Sequence, residues 1–527
     1  MLKNNYLIKI IFIIILITML ILITGCSNNE GGLSQVSNYN VNFSVLDESD
    51  DPIEGATVTL DGSSKTTDSN GVVTFNKPDG SYDYNVIATG YDPLDGTAIV
   101  NGEDVSLNES LSISINTYNV VFSITDTNGD PIEGVTVSLE GENDQTTDSN
   151  GMITFSKEDG TYNYDITATG YEDINDNSLT VSGADLTETI NLLPTGYRGI
   201  YNWKDLDDIR NNLDANYILM NDLNLTTLGY ADLASSSANE GKGWAPIGIP
   251  ESAYNLEGSF TGEFDGNNKT IADLEINRPD SEEKFTGLFG YIHEGTIKDL
   301  KSMNFNIIGY SHVGAIAGIN DGGTILNSNI SDGSIDGVST VGGLVGHNFN
   351  ANTTTNCYSK ATVQGNNRIG GLVGYNESSG IKKCYATGNV FGDSECGGLV
   401  GYNNYGSIVN NYSRGNVNGN NNIGGLVGFT GNGSTIGNCF SIGAVTGTGT
   451  GIGGLVGKDT GEYIANCYYN SETSGQSDTG KGSPRTTKQM KEGSADTTID
   501  GDSMYTDWYT SIWNFGSNTD YPSLSWE

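Results

Sequence analysis

The chain has 527 residues, with 65 Asp or Glu against 24 Lys or Arg and a formal net charge of −41. A phosphate-binding surface needs clustered Lys and Arg, so this balance excludes nucleic acid as a partner and polybasic attachment to anionic lipid. Gly contributes 72 residues, about twice its usual ~7% share, and only 17% of residues are charged; both point to turns and short strands, hence to an all-β extracellular protein.

Lys3 and Lys9 flank the start of an apolar run from Ile8 to Ile23, which ends in Ile23-Thr24-Gly25-Cys26 and a polar Ser27-Asn28-Asn29. The run reads as a secretory signal peptide over residues 1–25. The tetrapeptide resembles the lipobox of bacterial lipoproteins. That resemblance implies cleavage before Cys26 and lipid (palmitate among its acyl chains) on the Cys26 thiol, since two or more chains hold where one does not. Losing residues 1–25 removes Lys3 and Lys9 and no acid, so the mature charge becomes −43. Residues 26–38 then read as a flexible tether.

Residues 39–116 and 117–195 are expected to form two copies of a small β-sandwich. DPIEGATVTL (51–60) recurs as DPIEGVTVSL (130–139), and TTDSNGVVTF (66–75) as TTDSNGMITF (146–155). Val41, Phe43 and Val45 alternate onto one strand face, as do Val58 and Leu60. Asp-Ser-Asn-Gly before a β-branched run is a hairpin signal, with Gly71 and Gly151 expected at positive φ. This pattern, closed by ATGY at 88–91 and 168–171, resembles the carboxypeptidase regulatory-like, transthyretin-like modules. Such modules are usually spacers or weak binders. The turn Asp126-Thr127-Asn128-Gly129-Asp130 has the opening spacing of a calcium loop but lacks its sixth-place Gly and distal Glu, and reads as a solvated turn.

A shorter repeat fills the rest. GLVG starts at Gly343, Gly371, Gly398, Gly425 and Gly454, with looser copies at Gly287 and Ala315, every 27 to 29 residues. A second column reads Asn329, Cys357, Cys384, Asn411, Cys439 and Cys467, and a third Ile335, Val363, Val390, Val417 and Val445. Period two within a period near 28 predicts stacked turns of parallel strands. The repeats closely resemble the GLUG motif of bacterial surface proteins, including adhesins and IgA-cleaving metallopeptidases. The expected fold is therefore all-β: two sandwich modules, then a capped parallel β-helix of about seven GLUG turns. Residues 196–285 form its N-terminal cap and first turns, with an amphipathic cap helix at Asp205–Leu213; 286–470 form the repeats and 471–527 the C-terminal cap.

Catalytic candidates are few. His293-Glu294-Gly295-Thr296 is not HExxH, so the peptidase activity of some GLUG-bearing proteins is not expected here, and the acids do not cluster in the repeat turns. The cysteines read as small buried hydrophobes rather than metal ligands, with a Cys357–Cys384 disulfide left open. No catalytic residue, metal or cofactor is expected. The column Asn320, Asn348, Asn376 and Asn403 reads as a structural amide ladder. The candidate binding residues are Tyr358, Tyr385, Tyr412, Phe440 and Tyr468, an outward column that either offers its rings to a ligand or stacks on itself. The expected function is a non-enzymatic, adhesin-like surface lipoprotein. It would sit on the extracellular face of a bacterial membrane and bind an extracellular glycan or a surface or matrix protein. The alternative is a polysaccharide-active β-helix enzyme with its site in the insertion around Tyr230–Tyr254.

Overall fold

The computed structural model describes residues 36–251, 255–351, 353–461, 463–515 and 519–527. Cys26 and the signal run lie outside the described residues. The chain divides into two units, up to Tyr118 and from Asn119 onward.

The first unit is a β-sandwich. One sheet holds Asn38–Asp47 between Val72–Pro78, antiparallel, and Val105–Leu111, parallel. The other runs Ser63–Thr66, Thr57–Leu60, Gly80–Ile87, Leu94–Val100. The alternating Val41, Phe43, Val45, Val58 and Leu60 all lie fully buried between them. Gly71 has φ +71, and a Cβ there would stand 2.4 Å from the Val45 carbonyl oxygen, so both conformation and space demand glycine. The Asp68 carboxylate closes this turn by accepting from the Asn70 and Val72 amides.

The second unit opens with the same sandwich, built on Tyr118–Thr125, Met152–Lys157 and Leu186–Asn191 in one sheet and four strands in the other. The use of apolar residues then changes: short strands point one or two side chains each into a common interior, and the chain coils. One turn comprises five strands, for example Ser339–Gly342, Val345–Phe349, Thr353–Thr355, Tyr358–Ser359 and Thr362–Gln364. Each pairs in parallel with its counterpart 27 to 29 residues on, giving five sheets along the coil, of which the one carrying GLVG has seven strands. Leu372 and Val373 of the repeat are fully buried. Gly371 is required by closeness rather than by φ: a Cβ would lie 2.2 Å from the Gly398 carbonyl oxygen of the next turn.

The expected interior row Cys357, Ser359, Ala361, Val363 is fully buried. One register differs from expectation. Asn329 pairs with Tyr358, not Cys357, so the residue above Cys357 is Ser328. The coil gains a residue between Phe349 and Thr353 and gives it back before Thr362, an exchange that a constant spacing of 28 conceals. The cap helix also departs from expectation. It starts at Trp203, where the Asn202 side chain accepts from the Lys204 and Asp205 amides, and tightens to a 3-10 turn over Asp208–Asn211. Its inward residues are Trp203, Leu206 and Ile209, with Arg210 laid over the Trp244 ring.

Candidate functional site

The predicted aromatic column exists, but its surroundings are not those of an open platform. Tyr358, Tyr385, Tyr412 and Phe440 stack face to face with centroids 4.9 to 5.0 Å apart and planes within 11°. Ring faces are thus spent on neighbouring rungs, and only edges and hydroxyls point out. The C-terminal segment covers those edges. Trp508 and Trp513 pack on Phe440, Trp526 lies against Tyr358 and Tyr385, and Tyr505 and Trp508 meet Tyr468. Tyr385, Tyr412, Phe440 and Tyr468 are buried as a result. The Tyr412 hydroxyl donates to the Glu527 carboxylate at 2.8 Å, and burial, its largest influence, pushes that hydroxyl's pKa up. Of the two readings of this column, the geometry matches stacking on itself, with the chain's own C-terminal segment over its edges.

A second column, with rings at five of its seven positions, runs along the GLVG sheet directly after each repeat. It reads Tyr291, Ile319, His347, Tyr375, Tyr402, Phe429 and Lys458 in successive turns. His347 lies on Tyr375 at 4.5 Å and 11°, Tyr375 on Tyr402 at 5.0 Å, and Tyr402 on Phe429 at 4.8 Å. The Arg368 guanidinium covers Tyr375 and Tyr402 and pairs with Glu395 at 3.2 Å. Just inside this column the Asn320, Asn348, Asn376 and Asn403 amides bond in series at 2.9, 3.1 and 2.8 Å, all fully buried. The ladder starts at Asn320 because Ile292 stands at its place in the turn before, which leaves the Asn320 side-chain oxygen without a partner.

At its N-terminal end this column borders a groove of about 1520 Å³. The chain around Pro246–Glu251 and the segment from Ser281 to Phe285 line it, together with Tyr291, Tyr310, His312, His347 and Glu377. Ion pairs fix the lining segment: Glu283 meets Arg278 at 2.8 Å and Lys242 at 3.1 Å, and Arg278 also donates to the Trp244 carbonyl. Phe285 stays out of the stack, at 85° to Tyr291 and 55° to His312.

Two histidines that lie 35 residues apart in sequence come together here, His312 stacking on His347 at 5.7 Å. Burial lowers His347 to about 3, helped by His312 and Arg368; burial also lowers His312 to about 4, with Arg368 second. Both are neutral near pH 7. His347 Nε2 lies 3.3 Å from the Glu377 carboxylate, which accepts from it. His293 makes a separate pair with Asp321 at 3.1 Å, which the Tyr291 hydroxyl also reaches at 3.0 Å.

Elsewhere, Cys357, Cys384, Cys396, Cys439 and Cys467 are buried free thiols. Burial raises Cys396 to about 12 and Cys384 well above the ordinary thiol range. The Asp126 carboxylate is occupied by the Asn128 and Asp130 amides of its own turn. Among the described residues, no group of three or more His, Cys, Asp or Glu is placed to hold a metal ion, and no helix is long and apolar enough to cross a membrane.

The family model described as the GLUG motif matches residues 365–390, which span the Arg368–Tyr375 contact. Over 90 residues the chain is 37% identical to a "Putative Gly-rich membrane protein" of Evansella cellulosilytica, covering 16% of this chain and 10% of that protein. Over 131 residues it is 29% identical to halomucin of Haloquadratum walsbyi, covering 24% of this chain and 1% of the other. The chain therefore spans a small fraction of the length of these curated relatives. Among solved structures, a "putative immunoglobulin A1 protease from Bacteroides ovatus" matches with TM-score 0.35 and 17% identity, over 62% of this chain and 92% of that one. The Bacillus anthracis TIE protein matches with TM-score 0.22 and 18% identity, over 31% and 36%.

Proposed function

We propose that the chain is a non-enzymatic, adhesin-like surface protein, held to a bacterial membrane by lipid on Cys26, that presents the solenoid groove to an extracellular glycan or protein. The observation that carries this reading is the groove itself. It is large and lined by aromatic rings and four carboxylates, with Arg278 and Lys284 among them. The sandwich modules serve as spacers between membrane and coil. The apolar run ending at Cys26 supports export and anchoring, and one of the relatives is described as a membrane protein. A glycan and matrix-protein array probed with the soluble chain from residue 27 onward tests this: binding to neither class contradicts it. The His347–Glu377 pair inside the groove favours one second reading, a polysaccharide-active enzyme. Release of reducing or unsaturated ends from a bound glycan would establish that reading instead.

A further inference from the structure

We infer that the groove beside Phe285 and Tyr310 binds an uncharged oligosaccharide. This rests on the reading of the solenoid as a ligand-presenting surface and names the ligand's class. Size sets the first condition. At about 1520 Å³ the groove exceeds the ~300–1,000 Å³ of single small-molecule sites and has room for a polymer segment. Polypeptide is the first alternative, and strand addition is closed to it. The strands Phe289–His293, Ala317–Asp321 and Val345–Phe349 are each paired on both sides, the first through bridges from Ile247 and Phe260.

Charge sets the second condition. A chain of net charge −41 repels sulfated or uronate polymers, and Glu251, Glu282 and Glu377 stand at the groove itself. Its two cations, Arg278 and Lys284, are outnumbered by the carboxylates of Glu251, Glu282, Glu283 and Glu377, and its two imidazoles add no positive charge near neutral pH. A cationic polymer would be drawn to the whole acidic surface, and Arg278 and Lys284 oppose it at the groove itself. What sets the groove apart is its lining, which combines the apolar Ile249, Phe285 and Tyr310 with the oxygen acceptors of Glu251, Glu282 and Glu377. A sugar ring has apolar C–H faces and a rim of hydroxyl donors. The faces suit a ring such as Phe285 that is not consumed by stacking, and the hydroxyls suit carboxylates and the Tyr310 oxygen.

The test uses the chain from residue 27 onward, as wild type, as Phe285→Ala, as Tyr310→Ala, and as Tyr509→Ala, an exposed control remote from the groove. The probes are cellohexaose, mannohexaose and xylohexaose against hexagalacturonate and a heparin hexasaccharide, with matrix proteins in parallel. The expected result is binding of a neutral hexasaccharide that changes little with salt and weakens roughly tenfold or more in both groove variants at unchanged melting temperature. Neutral-sugar binding that survives both groove substitutions overturns the groove assignment and leaves the surface-binding reading standing. Binding only of an acidic sugar or a matrix protein, lost in the groove variants, overturns the ligand class alone. Binding of nothing overturns both.

Discussion

The Trp526 indole N–H donates to the Lys383 carbonyl at 3.0 Å across 143 residues of sequence. Together with Tyr412–Glu527 and the bond from Arg414 to the Pro522 carbonyl, it shows that the C-terminal segment runs back along the coil and seals one aromatic column. That column is thereby a core, while the column on the GLVG sheet borders a groove.

The seal predicts a large stability effect at Trp513, which is 1% exposed and packed against Phe440, Tyr412 and Trp508. Trp513→Ala should cost about 3–5 kcal/mol, the usual range for a fully buried aromatic. Urea unfolding checks this, and a loss below about 1 kcal/mol would mean that the segment lies loosely on the coil.

Stacked turns predict that deletions obey the period. Removing residues 371–397 takes out one turn and lets Val373 partners give way to Val400, with Asn356 falling where Lys383 met Trp526. The shortened chain should still unfold cooperatively. Removing 371–384 sets core residues against turn glycines and should abolish folding. Indistinguishable melting of the two deletions would contradict the coil.

Most of this coil was legible in the sequence because its constraints repeat. The glycines of GLVG recur wherever two backbones touch, and the valines wherever a strand points inward. The groove was not legible, because Phe285, His312 and His347 meet only once the chain has coiled. The second column did leave a signal, an aromatic ring or imidazole directly after GLVG in four successive turns from His347 to Phe429, overshadowed by the asparagine that follows in three of them. The fate of Tyr385 and Tyr412 was illegible for another reason: nothing local to them reveals that residues beyond 500 fold back over their edges.

Acid should weaken the second unit through its histidines. Facing His312 are Arg368, Lys284 and His347; facing His347 are His312, Arg368 and the Glu377 carboxylate. Both are depressed from the ordinary ~6.5 of an unfolded chain, so the neutral form is the one the fold favours. Their contribution is fully present above about pH 6.5 and is lost as pH falls toward their folded values, because the unfolded state binds more protons in that window. His347→Phe keeps a ring on Tyr375 and should flatten the fall in melting temperature between about pH 6.5 and about pH 4. An unchanged slope would assign the acid sensitivity to carboxylates alone.

Anchoring is predicted to depend on one atom. Cys26→Ala should abolish incorporation of labelled palmitate, because the other five cysteines are buried in the coil. Label still entering the variant would remove the lipoprotein from the account.

The most direct measurement compares melting temperature and ligand binding in two variants, Tyr412→Ala and Phe285→Ala. The account predicts a dissociation. Tyr412→Ala, which empties a site 1% exposed beneath the C-terminal seal, should lower the melting temperature with the affinity of the remaining folded protein unchanged. Phe285→Ala should leave melting nearly unchanged and weaken binding. The reverse pattern, a stable Tyr412→Ala protein that no longer binds and a Phe285→Ala protein that binds normally, would contradict it.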